Sequence, residues 1–322
     1  MIKLLRRIKW LAQWYLKTKS LFWTFAFFKH EIPPVYSVST SEAGDLVIIG
    51  SDFRIPKKEN IDYLLEAFAE VHRLALSGAR FIPGNPWHQI EFDGMRFNVY
   101  TAQSIRIIAE LFLLRIYEIS LRDKPVVIDI GMNVGISVLF FAKTLGCRVY
   151  GYEPFEDTYK KAIANIKLNP RYARSIAAFQ AGVGSSNRKE EFLFCPDAAG
   201  DCGIVPIPED YRQGRQSSME KVEIRSAAEI VSFVLKKERS RSIVLKIDCE
   251  GMEYEIIECL ADARLLSKIS AIIMEWHRRG NLGDPVHLHS TLASNGFVIF
   301  GNPHKISDVG ISYAVNSKVK LK

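Results

Sequence analysis

The segment Val126-Val-Ile-Asp129-Ile-Gly131-Met-Asn133-Val-Gly135 carries an apolar run through an acidic residue into a glycine turn, and the helix-like Ile136–Leu145 follows it. Glycines at 131 and 135 allow unusual φ values and let backbone approach a ligand closely. The N–H groups at the start of the next helix can bind a carboxylate or another anion. Downstream, strand-like and helix-like stretches alternate. Arg148–Tyr152, Ala177–Val183, Glu190–Phe194, Ile243–Asp248, Ala271–Trp276, Phe297–Phe300 and Gly310–Val315 read as strands. Asp157–Leu168, with Asp157 or Thr158 as N-cap, Tyr254–Leu260 and Val286–Ser294 read as helices. The alternation predicts an α/β doubly wound, mostly parallel sheet with its ligand at the carboxyl ends of the strands. Pro196–Ser218, rich in Gly, Pro, Asp and Gln, reads as a long loop of the kind that shapes a substrate pocket.

Three further strand ends carry polar candidates. Glu153 ends the second strand, where a carboxylate can accept hydrogen bonds from both hydroxyls of a ribose. A dinucleotide fingerprint needs Gly-x-Gly-x-x-Gly, but Asn133 and Ile136 occupy its second and third glycine positions, which disfavours an NAD-dependent oxidoreductase. S-adenosylmethionine has no pyrophosphate and needs only the turn and the acidic residue. The second strand end is Val244-Leu-Lys246-Ile-Asp248-Cys-Glu250-Gly-Met-Glu253, where Asp248 and Glu250 can orient a substrate hydroxyl or accept its proton. The third is Ile272-Ile-Met274-Glu275-Trp276-His277, where His277 titrates near neutrality in isolation and is a further base candidate. Lys246, inside its strand, receives no role beyond needing a partner if buried.

Upstream, residues 35–120 read as a leader subdomain. It has a short strand within Asp45–Gly50, a helix over Asn60–Leu76 and a hairpin through Asp93-Gly94 that joins Ile90–Phe92 to Met95–Tyr100. A helix over Ser104–Tyr117 closes it. Residues 1–34 are distinct. Met1, Leu4, Leu5, Ile8, Leu11, Ala12, Tyr15 and Leu16 form one apolar helical stripe, with Trp10 and Trp14 on the polar side, and Leu21–Phe28 is a short aromatic run. The segment is too short and too charged to span a bilayer and makes a poor signal peptide. Its stripe can lie in a membrane interface or pack on protein.

The chain holds 322 residues, with 43 Lys and Arg against 36 Asp and Glu. Lys3, Arg6, Arg7, Lys9, Lys17, Lys19 and Lys29 lie in residues 1–30, which have no acidic residue, and they account for the whole excess. The remainder is neutral, which argues against a nucleic-acid enzyme. Five scattered cysteines give no disulfide framework and no metal-ligand spacing, which points to a reducing compartment, the cytoplasm.

The block from Pro125 to about Phe300 resembles the FkbM family of S-adenosylmethionine-dependent methyltransferases. The stretches that carry the resemblance are VVIDIGMNVGISVLFFA, VYGYEPFEDTYKKAIANIKLN, QAGVGSSNRKEEFLF, VLKIDCEGMEYEIIECL and AIIMEWH, with LKIDCEG plus MEYEII the most specific. The resemblance implies a class I methyltransferase domain over 121–322, with a Rossmann-like sheet of seven strands, helices on both faces and an antiparallel last strand. It implies a methionine-end loop from Asp129, Gly131, Asn133 and Gly135, ribose on Glu153, adenine near Ala181 and Gly182, and Asp248 facing the methyl-transfer centre. It also implies O-methylation of a hydroxyl on a saccharide, glycan or related small molecule, with no metal. The alternative expectation is an inactive methyltransferase-fold scaffold held at a membrane surface, on its inner face, by residues 1–30.

Overall fold

All five residues of Val126–Ile130 are buried, as a parallel strand covered by helices on both faces requires. The computed structural model describes residues 2–57, 61–196, 202, 216–238, 242–278, 283–301 and 308–318. The chain divides into two units, Met1–Ile116 and Tyr117–Lys322.

The first unit runs α1 (Ile2–Thr18), α2 (Leu21–Lys29), β1 (Val38–Thr40), β2 (Leu46–Ile48), β3 (Arg54–Ile55), α3 (Asp62–Glu66), α4 (Phe68–Leu76), β4 (Arg80–Ile82), β5 (His88–Phe92), β6 (Met95–Val99) and α5 (Ala102–Phe112). The β5–β6 hairpin turns on Asp93 and Gly94, both at positive φ, as its Asp-Gly signal predicts. The helix expected over Asn60–Leu76 is broken at Ala67, whose φ of −107° and ψ of 31° separate α3 from α4, and Asn60 lies outside the described residues. The helix expected to reach Tyr117 stops at Phe112.

Helix α1 forms where its periodicity places it, but it packs the other way round. Trp14, which the sequence puts on the polar side, is fully buried, while Ile8, Tyr15 and Leu16 of the apolar stripe are exposed. The indole explains the reversal. Its ring packs on Phe27 at 4.1 Å and its Nε1–H donates to the Ile32 carbonyl at 2.8 Å, so one side chain supplies both apolar area and a satisfied polar handle.

The second unit runs β7 (Val126–Ile130), α6 (Ile136–Thr144), β8 (Arg148–Glu153), α7 (Glu156–Leu168), α8 (Pro170–Ala173), β9 (Ile176–Gln180), β10 (Gly182–Gly184), β11 (Arg188–Phe194), β12 (Ser218–Ser226), α9 (Ala227–Lys237), β13 (Ile243–Ile247), α10 (Glu253–Asp262), β14 (Ala271–His277), α11 (Pro285–Ser294), β15 (Phe297–Phe300) and β16 (Val309–Asn316). Seven strands form one sheet in the order β15-β16-β14-β13-β7-β8-β9. β16 runs antiparallel to both of its neighbours, and β14, β13, β7, β8 and β9 are parallel. The antiparallel last strand that the resemblance implies is therefore β16, over the stretch Gly310–Val315 that reads as a strand.

The strand expected over Ala177–Val183 is divided. β9 pairs with β8 in the main sheet, and β10 leaves to join β12 and β11 in a separate three-stranded sheet. Helix α7 starts at Glu156 with Phe155 at the N-cap, so Asp157 and Thr158 sit inside the first turn. Glu156 and Asp157 there complement the positive end of the helix and pair with Lys160 and Lys161 one turn on, at 2.6 and 2.7 Å. The loop expected over Pro196–Ser218 lies mostly outside the described residues.

The anchoring of α1 is testable. Trp14→Ala lowers stability by about 3–5 kcal/mol through loss of a fully buried ring, whereas Leu16→Ala, at an exposed site, changes it by less than about 0.5 kcal/mol. Urea denaturation of the two variants reads the difference, and equal losses contradict the packing.

Candidate active site

The turn after β7 is held from three sides. The N–H groups of Gly131 and Met132 both donate to the Tyr152 carbonyl at 3.0 Å, tying the turn to the end of β8. Gly131 has φ +77°, and a Cβ added there would overlap the Asp248 carbonyl, so no other residue fits. Asn165 on α7 donates from Nδ2 to the Val134 carbonyl at 2.9 Å, and Gly135, at φ +82°, lies against Ala162 of the same helix. Gly135 thus serves the packing of the turn on α7, and it does not line the cavity described below.

Glu153 closes the other side. Its Oε2 accepts from the Asn133 N–H at 3.1 Å and its Oε1 from the Phe155 N–H at 3.2 Å. Burial pushes its carboxyl up to about 8, against the pull of those two backbone N–H groups. Each oxygen retains a further lone pair for a ligand hydroxyl.

The carboxyl end of β13 is organised by Lys246. Its ammonium is almost wholly buried. It lies 3.1 Å from Asp129 Oδ1 and 3.5 Å from Asp248 Oδ2, and it donates to the Gly131 carbonyl at 2.6 Å. Burial opposes the charge, but the Asp129 and Asp248 carboxylates outweigh it and hold the ammonium up to about 12. Asp129 is completely buried behind the turn. It pairs with Lys246 and stands behind the lining of the cavity described below. Tyr117 donates its hydroxyl to Asp248 Oδ2 at 3.4 Å, and its ring stacks on Phe141.

Glu253 holds the next layer. Fully buried, it accepts from the Gly251 N–H at 2.8 Å and the His277 N–H at 2.6 Å, and its Oε1 lies 3.3 Å from His277 Nδ1. Glu250 Oε1 faces His277 Nε2 at 3.3 Å. Burial alone would favour neutral imidazole. The Glu250 and Glu253 carboxylates reverse this and raise His277 to about 11, so it is an imidazolium at neutral pH. An imidazolium has no lone pair to accept a proton. A carboxylate on each ring nitrogen thus weighs against His277 as the base that the sequence suggests. Asp248, Glu250 and His277 each place one ligand atom within 4.8 Å of the others, a spacing that a divalent cation could bridge if His277 gave up its proton.

These groups converge on one cavity, with about 660 Å³ of empty space counted to its open mouth. Gly131, Asn133 and Glu153 line it from β7 and β8. Ala181 and Gly182 line it at the start of β10, and Asp248 and Glu250 line it after β13. Phe155, Val183, Phe192 and Ile224 supply an apolar wall. His277 stands behind Glu250 and outside the lining. Sequence reasoning missed Lys246, Glu253 and Tyr117. The signal for the first was a lysine in an otherwise apolar strand, and for the second the Glu-Gly-x-Glu spacing.

The residues fit S-adenosylmethionine. The apolar wall suits an adenine ring, and the Glu153 oxygens suit ribose hydroxyls. Asp129, Asp248, Glu250 and Glu253 outnumber the cations Lys246 and His277, and this negative excess suits a ligand that is net positive once its sulfonium and α-ammonium are set against its carboxylate.

The chain is similar to several known proteins. Over an alignment of 224 positions that covers 59% of the chain, the sequence is 25% identical to the AMB antimetabolite synthetase AmbE of Pseudomonas aeruginosa, of which it spans only 10%. Among solved structures, methyltransferase FkbM from Methylobacillus flagellatus KT is 13% identical and matches 78% of this chain and 59% of its own, with a TM-score of 0.39. Magnesium protoporphyrin IX methyltransferase from Synechocystis PCC 6803, solved with bound SAM, is 14% identical and matches 66% and 77% of the two chains, with a TM-score of 0.34. The family model of the methyltransferase FkbM domain matches residues 129–299, more than half of the chain. On that match, the chain belongs to the FkbM methyltransferase family.

Proposed function

We propose that this S-adenosylmethionine-dependent methyltransferase methylates a hydroxyl oxygen of a saccharide, glycan or related small molecule, and that Asp248 takes the hydroxyl proton. The observation that carries the reading is the place of Asp248, on the wall of the cavity that Gly131 and Glu153 also line. S-adenosylmethionine supplies a methyl group activated by its sulfonium. The chain's own residues do the rest. Glu153 accepts the ribose hydroxyls, and the Gly131–Gly135 turn leaves room for the methionine end. Ala181 and Gly182, next to the apolar wall, border the adenine. Tyr117 and Lys246 hold Asp248 Oδ2, which fixes the carboxylate beside the acceptor hydroxyl. Alignment and exclusion of water then account for most of the acceleration, and Asp248 takes the hydroxyl proton as the methyl group passes from sulfur to oxygen. His277, already protonated, orients Glu250 instead of acting as a base.

Similarity to a segment of an antimetabolite synthetase keeps small molecules other than saccharides within the acceptor class. We further infer a cytoplasmic location, where residues 1–30 against the inner face of a membrane would add lipid-linked saccharides to the acceptor class.

Incubation of the protein with cell-extract metabolites and a deuterated methyl donor tests the function. Mass spectrometry is expected to show the label in an O-methyl ether, and label on nitrogen or carbon contradicts it. Asp248→Asn is expected to lower kcat, measured at saturating cofactor, by about 10²–10⁴-fold. Unchanged kcat removes Asp248 as the proton acceptor.

The raised carboxyl of Glu153 predicts a pH dependence with opposite signs for folding and binding. The folded protein keeps a proton that the unfolded chain releases from about 4.5 upward, so Glu153 lowers stability as pH rises from there to about 8. Ribose hydroxyls bond best to the ionised form. Cofactor affinity measured by calorimetry is therefore expected to rise about tenfold between about pH 6 and 8, and Glu153→Gln is expected to abolish the rise. A persistent slope in that variant assigns the titration elsewhere.

A further inference from the structure

We propose that α1 and α2 form a docking face for a membrane surface rich in anionic lipid headgroups. The inference holds whichever hydroxyl the methyltransferase unit serves.

The two helices are fixed to the first unit by one set of side chains and present another outward. Trp14 and Thr18 of α1 and Trp23, Thr24 and Phe27 of α2 are buried, and the Trp14 and Trp23 indoles donate to the Ile32 and Gly44 carbonyls at 2.8 and 2.9 Å. The opposite face of α1 carries Ile8, Ala12, Tyr15 and Leu16, at the spacing of one helical stripe. Ile8 is 54% exposed and Leu16 63%. On α2 the outward residues are Leu21, 64% exposed, Phe22 and Phe25, 59% exposed. A helix whose more apolar face points outward after its docking is complete still needs a cover for that face. The indole anchors explain why the helices do not roll over to hide it.

Charge selects the cover. Residues 1–30 carry seven Lys and Arg and no acidic residue. Arg7 is neutralised by Glu31 and Lys29 by Asp62, but Lys9 and Lys19 are exposed and form no ion pair among the described residues. A second copy of the chain, meeting this face through a two-fold axis, would set the same cations against themselves. An anionic lipid surface instead neutralises them while its acyl boundary receives Leu16, Leu21 and Phe25. Aromatic side chains suit that boundary. No helix among the described residues is long and apolar enough to cross a membrane, so the contact lies in the plane of the interface.

Flotation of the full chain tests this with vesicles of phosphatidylcholine alone and with about one third phosphatidylglycerol added. The wild type is expected to partition at least about tenfold more strongly onto the anionic vesicles and to lose that gain in high salt. Each basic residue near such a surface is worth about fivefold. Lys9→Glu with Lys19→Glu is therefore expected to lower the partition by more than about tenfold. Leu16→Glu with Phe25→Glu is expected to do the same, with a melting temperature within about 2 °C of wild type because both sites are exposed. Equal partition of wild type and both variants overturns the proposal. So does a wild type that ignores vesicles and sediments as a dimer that Leu16→Glu with Phe25→Glu dissociates. Omitting the methyl donor leaves every one of these readouts unchanged, so failure here and failure of the methyl-transfer reading are separate results.

Discussion

A single buried ammonium ties the site of this protein together. Lys246 sits in the central strand β13 with its charge out of water, and the desolvation this costs is offset by Asp129 on the neighbouring β7 and by Asp248 just beyond the end of β13. The same nitrogen donates to the Gly131 carbonyl. One cation thereby sets the spacing of two strand ends, the path of the glycine turn and the orientation of the carboxylate that faces the cavity. Removing one partner of such a cluster leaves an uncompensated buried charge, a loss of about 3–5 kcal/mol, so its members are constrained as a group.

A second polar cluster stands beside the first and follows the same logic. Glu253 is fully buried and turns both of its oxygens to the chain, one toward the loop after β13 and the other toward His277 on β14. His277, held between Glu253 and Glu250, joins these two strand ends through charge-assisted bonds. The two clusters meet at the loop 248–253, where Glu250 has φ +53° and Gly251 has φ +109°. The loop is thus determined on both flanks before any ligand arrives, which is the preorganisation that a reaction needing alignment more than covalent chemistry requires.

The sequence disclosed the elements whose cause is local. The buried Val126–Ile130, the Gly131–Gly135 turn, Glu153 at the next strand end and the Asp-Gly hairpin each follow from patterns within a few residues, the parallel sheet follows from the alternation of strands and helices, and its seven strands are what the family resemblance implies. What it hid depends on partners far away in the chain. Asp129 and Lys246 are 117 positions apart, and neither one reveals by itself that the two neutralise each other. His277 looks like a base until Glu250 and Glu253 fold against it from another element. Trp14 looks like a surface residue until Phe27 and the Ile32 carbonyl supply its ring and its N–H with partners. The exposed stripe of α1 reverses the usual inference from amphipathicity because an indole on the minor face outcompetes several aliphatic side chains on the major one.

The dependence of the cavity on Lys246 is tested most directly by calorimetric titration of S-adenosylmethionine into an Asp129→Leu, Lys246→Met double variant. Removing both charges together avoids an unpaired ion in the core and keeps the chain folded, which circular dichroism checks. With the tether on the Gly131 carbonyl and on Asp248 gone, the folded variant is expected to bind the cofactor at least about tenfold more weakly than wild type, the equivalent of about 1.4 kcal/mol. Affinity equal to wild type would show that the turn and the carboxylates hold their places without the buried ammonium.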